Sequence, residues 1–172
     1  MKKIYNIPNA LSVLRIILGI SFFFLIIKGA SQLTIFLVFL IGALSDTLDG
    51  NLARIFKWRT EFGRILDPIA DRIFIVSVIL GLLFIGIDKI LLLMILSREI
   101  TCLPALIFVK KLKPKFKVLP IGKATTFSQG VTVGSILLKF TTLSYILAII
   151  TMLLGIISGY YYTKQAIKEK KQ

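Results

Sequence analysis

The sequence contains no histidine, one cysteine and only 8 acidic residues against 22 lysines and arginines over 172 positions. The missing imidazole excludes a Ser/His/Asp triad, a Cys/His dyad and every imidazole metal ligand, and a lone Cys102 closes no intrachain disulfide. Any proton transfer or metal binding therefore falls to carboxylates. A basic module interleaved with aromatics is also lacking, so the formal net charge of +14 points to a membrane surface and not to nucleic acid.

What is abundant is apolar. Such residues make up 56% of the chain, more than a globule of this length has interior to hide, so the apolar mass faces lipid. A spanning helix needs about 20 mostly apolar residues, and the stretches 10–27, 32–53, 66–87, 90–109, 121–138 and 143–162 qualify. The predicted fold is all-α, a polytopic membrane protein of six transmembrane helices, with 1–172 forming a single membrane domain. The connectors are short, and no internal repeat interrupts them. Lys2, Lys3, Arg54, Lys57, Arg59, Arg64, the lysines from Lys110 to Lys123 and those from Lys164 to Lys171 fall on one side. Only Lys28, Lys89 and Lys139 fall on the other. By the positive-inside rule both termini are cytoplasmic. The N-terminal run imitates a cleaved signal peptide, but Arg15 interrupts it and more spans follow, so it is expected to stay as an anchor.

Four of the few acids, Asp46, Asp49, Asp67 and Asp71, lie at the cytoplasmic ends of the second and third predicted spans. Carboxylates are costly in membrane helices and need a reason. Asp46, Asp49, Gly50 and Ala53 share one helix face, which Gly42 extends, and Gly63, Asp67 and Asp71 form a second stripe, with Pro68 placed in a first helical turn. Joined as a hairpin, the two helices would present their acids to each other. The carboxylates would then repel unless cations held them, and oxygen ligands without imidazole or thiolate point to Mg²⁺, Mn²⁺ or Ca²⁺. Gly50 and Ala53 leave room beside the metal, and Arg54 can pair with a phosphate, so the array suits a diphosphate substrate. At about 1.5 Å per residue, Asp46 and Asp49 lie roughly 6 to 12 Å below the cytoplasmic end, at headgroup depth. The bland alternative, interfacial charges balanced by Arg54, Arg59, Arg64 and Arg72, must explain a set of fixed positions whose chance occurrence is on the order of 10⁻¹⁰.

The array Asp46-x2-Asp49-Gly50-x2-Ala53-Arg54-x8-Gly63-x3-Asp67-x3-Asp71 resembles the signature of the CDP-alcohol phosphatidyltransferases, membrane enzymes that make phospholipids. Asn6 to Ser12 followed by Arg15, then Arg98-Glu99-Ile100, and Gly122-Lys123 with Gln129, look like further landmarks of that family. The resemblance implies that Asp46, Asp49, Asp67 and Asp71 hold two divalent ions per site, Mg²⁺ or Mn²⁺, against the diphosphate of CDP-diacylglycerol or an analogous CDP-lipid. Asn9, Ala10, Leu11, Ser12, Gly50, Ala53, Arg54, Thr60 and Gly63 would bind the CDP-lipid. Asp71 would also be the catalytic base toward the alcohol acceptor, with CMP leaving. Arg15 reads as a residue that caps or positions the site. A homodimer in the cytoplasmic membrane, active site facing the cytoplasm, completes the implied picture.

Arg98, in the middle of the fourth predicted span, is an intramembrane cation. It reads either as an acceptor-phosphate ligand, with Lys123 as a second candidate, or as a structural partner of Glu99. The opening segment and Arg98-Glu99-Ile100 look most like the phosphatidylglycerophosphate synthases, which use glycerol 3-phosphate. Leu106 and Thr125, however, stand where those enzymes commonly carry an Arg and a Lys. That departure keeps cardiolipin synthase, whose acceptor is phosphatidylglycerol, close behind, and family members using inositol phosphate or serine stay open. A small cation transporter is the rival of another class. Against it, the outer halves 34–44 and 73–87 of the acid-bearing spans contain no charge, so no ionic path continues across the membrane. A catalytically dead lipid binder would not need the intact acids.

Overall fold

The computed structural model describes residues 7–55, 61–112 and 120–170. For 7–8, 46–55, 61–65, 68, 98, 102–112, 166 and 168–170 the description extends to the helical backbone alone. All regular structure among the described residues is helical: α1 (Ile7–Ile27), α2 (Gln32–Ile55), α3 (Glu61–Phe84), α4 (Lys89–Leu112), α5 (Pro120–Leu137) and α6 (Thr141–Lys170). Each coincides with one of the apolar stretches. Two of them, over Asn9–Ile27 and Thr141–Gln165, are long and apolar enough on their own to cross a membrane, and Gln32–Ser45 is a shorter apolar stretch.

Local chemistry explains where the helices stop. Gly29 (φ 66°) and Gly86 (φ 77°) adopt the left-handed conformation that ends α1 and α3. The amides of Ala30 and Ile87 then reach back to the carbonyls of Leu25 and Leu82, closing a Schellman motif at each end. The end of α5 repeats the motif without glycine. Phe140 N–H bonds to the Ser135 carbonyl, and Lys139 takes φ 61° at the residue before it. Restarts are capped by side chains: Ser31 Oγ accepts from Thr34 N–H at 3.2 Å and Asp88 Oδ1 from Ile90 N–H at 2.9 Å.

The chain forms two compact units that divide between Ile87 and Asp88. In the first, α1 is the central element, antiparallel to α2 and parallel to α3, and among the described residues α2 and α3 share fewer contacts with each other than with α1. α2 and α3 run antiparallel, as the expected hairpin requires; among the described residues both dock on α1, and they meet each other where Phe39 and Gly42 face Phe74. Aromatic packing fixes the arrangement, since Phe39 stacks on Phe74 with centroids 6.1 Å apart and meets Phe22 at 6.3 Å. Gly42 makes room for the Phe74 ring, because a Cβ there would stand 2.2 Å from Cε2. Pro68 differs from its expected place as well. With α3 starting at Glu61, Pro68 lies inside the helix and cannot donate to the Arg64 carbonyl one turn earlier.

In the second unit α6 is central, parallel to α4 and antiparallel to α5. Its contact with α5 is a ladder of hydroxyls. Ser128 and Thr132 meet Thr151 at 2.6 and 2.9 Å, and Ser135 meets Ser144 at 2.9 Å. Gly159 lets α4 approach so closely that a Cβ would fall 2.5 Å from Thr101. Both units bury hydroxyls, including Ser12, Thr125, Thr132 and Thr151, while Ile17, Phe24, Ile41, Val76, Leu93 and Leu153 are exposed. Buried hydroxyls beside exposed aliphatic chains are what a lipid solvent rewards, because hydroxyls gain partners between helices and aliphatic chains cost nothing outside.

Candidate active site

The acid-bearing end of the first unit is built by the register of α1 against α3. The two run parallel with a nearly constant offset, so successive turns pair successive side chains. Ser12 Oγ donates to Asp67 Oδ1 at 2.5 Å, 55 positions apart, and Arg15 Nη1 donates to Asp71 Oδ1, 56 positions apart. Arg15 also reaches α2, where its Nε donates to Ser45 Oγ at 3.3 Å, and Ser45 Oγ in turn donates to the Gly42 carbonyl at 2.7 Å. Asn9, Ser12, Arg15 and Ser45 are all buried. The Asp71 side chain keeps 43% of its surface exposed, so a group outside the helix packing can reach its carboxylate.

Arg15 would be prohibitively costly at 2% exposure without charged and polar partners, and the ion pair with Asp71 supplies one. Asp46 follows Ser45 directly on α2, and Asp49 lies one turn further along. The backbone thus carries both acids to the end of α2 that Arg15 ties to α1. Their side chains, and those of Gly50, Ala53, Arg54 and Gly63, belong to the segments described by backbone alone, and Thr60 lies outside the described residues. Among the described side chains no three acids form a metal-holding group, because only Asp67 and Asp71 of the four are included. The donor chemistry that is present, two carboxylates one helical turn apart without nitrogen or sulfur ligands, fits a hard divalent cation.

Within the opening segment, Asn9 and Ser12 turn inward, Leu11 is half-buried and Ala10 is exposed. Ser12, expected to touch CDP, makes its hydrogen bond to Asp67. Ser45 is the polar contact that reading the sequence misses. Its only signal is that it sits one residue before Asp46 on α2.

The acceptor candidates belong to the second unit. Glu99 Oε2 accepts from Gln129 Nε2 at 2.9 Å, and the same amide donates to the Ile95 carbonyl at 2.8 Å. Arg98 lies on this turn of α4, its side chain among those not described, and Lys123 is exposed near the start of α5. Thr125 is fully buried and bonds the carbonyls of Ile121 at 2.8 Å and Leu154 at 3.3 Å. It is a helix-packing hydroxyl.

A model of the family described as CDP-alcohol phosphatidyltransferase matches residues 5–157. The chain is 32% identical over 179 residues to the CDP-diacylglycerol–glycerol-3-phosphate 3-phosphatidyltransferase of Rickettsia bellii, covering 98% of this chain and 99% of that protein. It is 30% identical over 182 residues to a probable phosphatidylglycerophosphate synthase of Mycobacterium tuberculosis, covering 97% and 84%. A third relative, the Aquifex aeolicus CDP-diacylglycerol–glycerol-3-phosphate 3-phosphatidyltransferase, is 30% identical over 175 residues.

Proposed function

Because the chain belongs to the CDP-alcohol phosphatidyltransferase family, we propose that it moves the phosphatidyl group of CDP-diacylglycerol to glycerol 3-phosphate and releases CMP. The observation that carries this reading is the joint one of the aspartate signature and the α1–α3 register, which sets Asp67 and Asp71 in fixed orientations at one helix end. The names of the relatives from Rickettsia bellii and Aquifex aeolicus support glycerol 3-phosphate as acceptor.

Asp46, Asp49, Asp67 and Asp71 are the residues that would hold two divalent ions, Mg²⁺ or Mn²⁺, which when bound supply Lewis-acid stabilisation of charge on the diphosphate. Ser12 fixes one oxygen of Asp67, and Arg15 fixes one oxygen of Asp71. Asp71 takes the proton of the acceptor hydroxyl while that oxygen attacks the phosphorus bearing the diacylglycerol. The bond from this phosphorus to the CMP oxygen breaks, and CMP departs with the electron pair. Asn9 to Ser12, Gly50, Ala53, Arg54, Thr60 and Gly63 would hold the CDP-lipid, and Arg98 with Lys123 the acceptor phosphate. In this reading 1–172 is one membrane domain with six spans, both termini in the cytoplasm and the site on that side, working as a homodimer.

A second acceptor is favoured by one observation. Thr125 packs as a buried hydroxyl where a further cation would serve a phosphomonoester, which suits the less charged phosphodiester of phosphatidylglycerol in cardiolipin synthesis. Purified protein in lipid nanodiscs with CDP-diacylglycerol, Mg²⁺ and separate acceptors decides between them, with the lipid product identified by mass. Glycerol 3-phosphate is expected to give phosphatidylglycerophosphate. Product only with phosphatidylglycerol selects the second reading, and cation flux into sealed vesicles of the same protein without CMP release overturns both.

A further inference from the structure

Arg15 is buried on α1, and its guanidinium is committed in two directions, to Asp71 on α3 and to Ser45 on α2. Ser45 spends its own proton on the Gly42 carbonyl, so its oxygen accepts from Arg15 and both bonds have a defined sense. The cation thus ties α1 to the two helices that carry Asp46, Asp49, Asp67 and Asp71. Carboxylates brought together as the proposed site requires would repel in a medium poorer in water than the cytosol, and a fixed positive charge paired with Asp71 offsets part of that repulsion at all times.

We propose that Arg15 is an internal counter-ion of the acid cluster, a positioning residue that assembles the acid-bearing ends of α2 and α3 on α1 before any divalent ion is bound. The same charge lowers the affinity of the cluster for that ion. This assignment rests on the reading that the four aspartates bind divalent metal. It has a consequence that a purely structural role lacks. Loss of the positive charge weakens the metal-free protein and tightens its hold on the metal, whereas a residue that only fills space alters the first without the second.

The test measures thermal unfolding of the full-length protein in nanodiscs by circular dichroism across a series of Mg²⁺ concentrations, for wild type, Arg15→Gln and Arg15→Lys. Wild type is expected to unfold at rising temperature as Mg²⁺ is added. Arg15→Gln, which keeps an amide donor but no charge, is expected to unfold earlier without Mg²⁺ and to reach its half-maximal response at a concentration roughly tenfold lower. Arg15→Lys, which restores the charge, is expected within about threefold of wild type. Three results overturn the assignment: an Arg15→Gln midpoint equal to or above that of wild type, a lysine variant displaced as far as the glutamine variant, or an Arg15→Gln protein unfolded at every Mg²⁺ concentration. A wild type that does not respond to Mg²⁺ removes the metal reading itself, and the counter-ion with it. A responsive wild type with an unmoved Arg15→Gln midpoint sinks the counter-ion alone.

Discussion

Asp67 owes its orientation to a serine 55 positions away, and this is where sequence reading reaches its limit at the residue scale. The acids themselves are legible, since the spacing of Asp46, Asp49, Asp67 and Asp71 places each pair on one helix face. Arg15 is legible too, as a cation interrupting an apolar run. Their partners are not, because the pairing of Ser12 with Asp67 and of Arg15 with Ser45 depends on the axial register between helices, which no periodicity within one helix encodes. Ser12→Ala should therefore do more than remove a hydroxyl near the nucleotide. It takes from Asp67 a hydrogen bond to a charged group worth about 1.5–3 kcal/mol, and CMP release should fall by about tenfold or more, with the fold intact by circular dichroism. Activity equal to that of wild type would show that Asp67 keeps its place without Ser12.

Helix existence and extent are the best-predicted features at the element scale, because long apolar runs bounded by Gly29, Gly86 and Asp88 leave few alternatives. The docking of α2 and α3 on α1 is not legible in the same way. The sequence shows that both carry acids, but the choice of α1 as their common partner comes from the Phe22, Phe39 and Phe74 packing and the space at Gly42. Gly42→Ala should accordingly lower the unfolding temperature, with overpacking costing about 1–3 kcal/mol. Lys139 holds a left-handed conformation at a helix end that, alone of this type among the described residues, lacks glycine, so Lys139→Gly should raise stability by about 0.5–1 kcal/mol, measurable by thermal unfolding. At the start of α4, the Ile90 amide and then the Tyr145 hydroxyl hold the Asp88 carboxyl below its ordinary 3.8, against a small opposing effect of burial. A depressed value means that the ionised form is favoured by folding. The contribution is complete above the unfolded value of 3.8 and is lost as pH falls through the lower folded one. Asp88→Asn should therefore lower the unfolding temperature at neutral pH, with the difference closing in acid below that range.

For the whole molecule the governing fact is solvent. A chain with 56% apolar residues exposes many of its isoleucines and leucines and buries serines, threonines and Arg15, an arrangement suited to hydrocarbon surroundings. Composition alone foretells the membrane. It does not foretell the division at Ile87 into two units, each organised on a different helix of its three, because that follows from which helix faces are small and hydroxyl-bearing. The proposed topology predicts that cysteines introduced at Lys3 and Lys164, in a Cys102→Ser background, react with an impermeant maleimide only from the cytoplasmic side, and one at Lys139 only from the other. Labelling of Lys3→Cys and Lys139→Cys from the same side would contradict it. The central claim, that this chain transfers a phosphatidyl group through its aspartate cluster, is tested most directly by the initial rate of CMP release from CDP-diacylglycerol and glycerol 3-phosphate in the Asp71→Asn protein. A fall of about 10²- to 10⁴-fold, with unfolding still cooperative, is the predicted result. A rate within twofold of wild type would contradict the account.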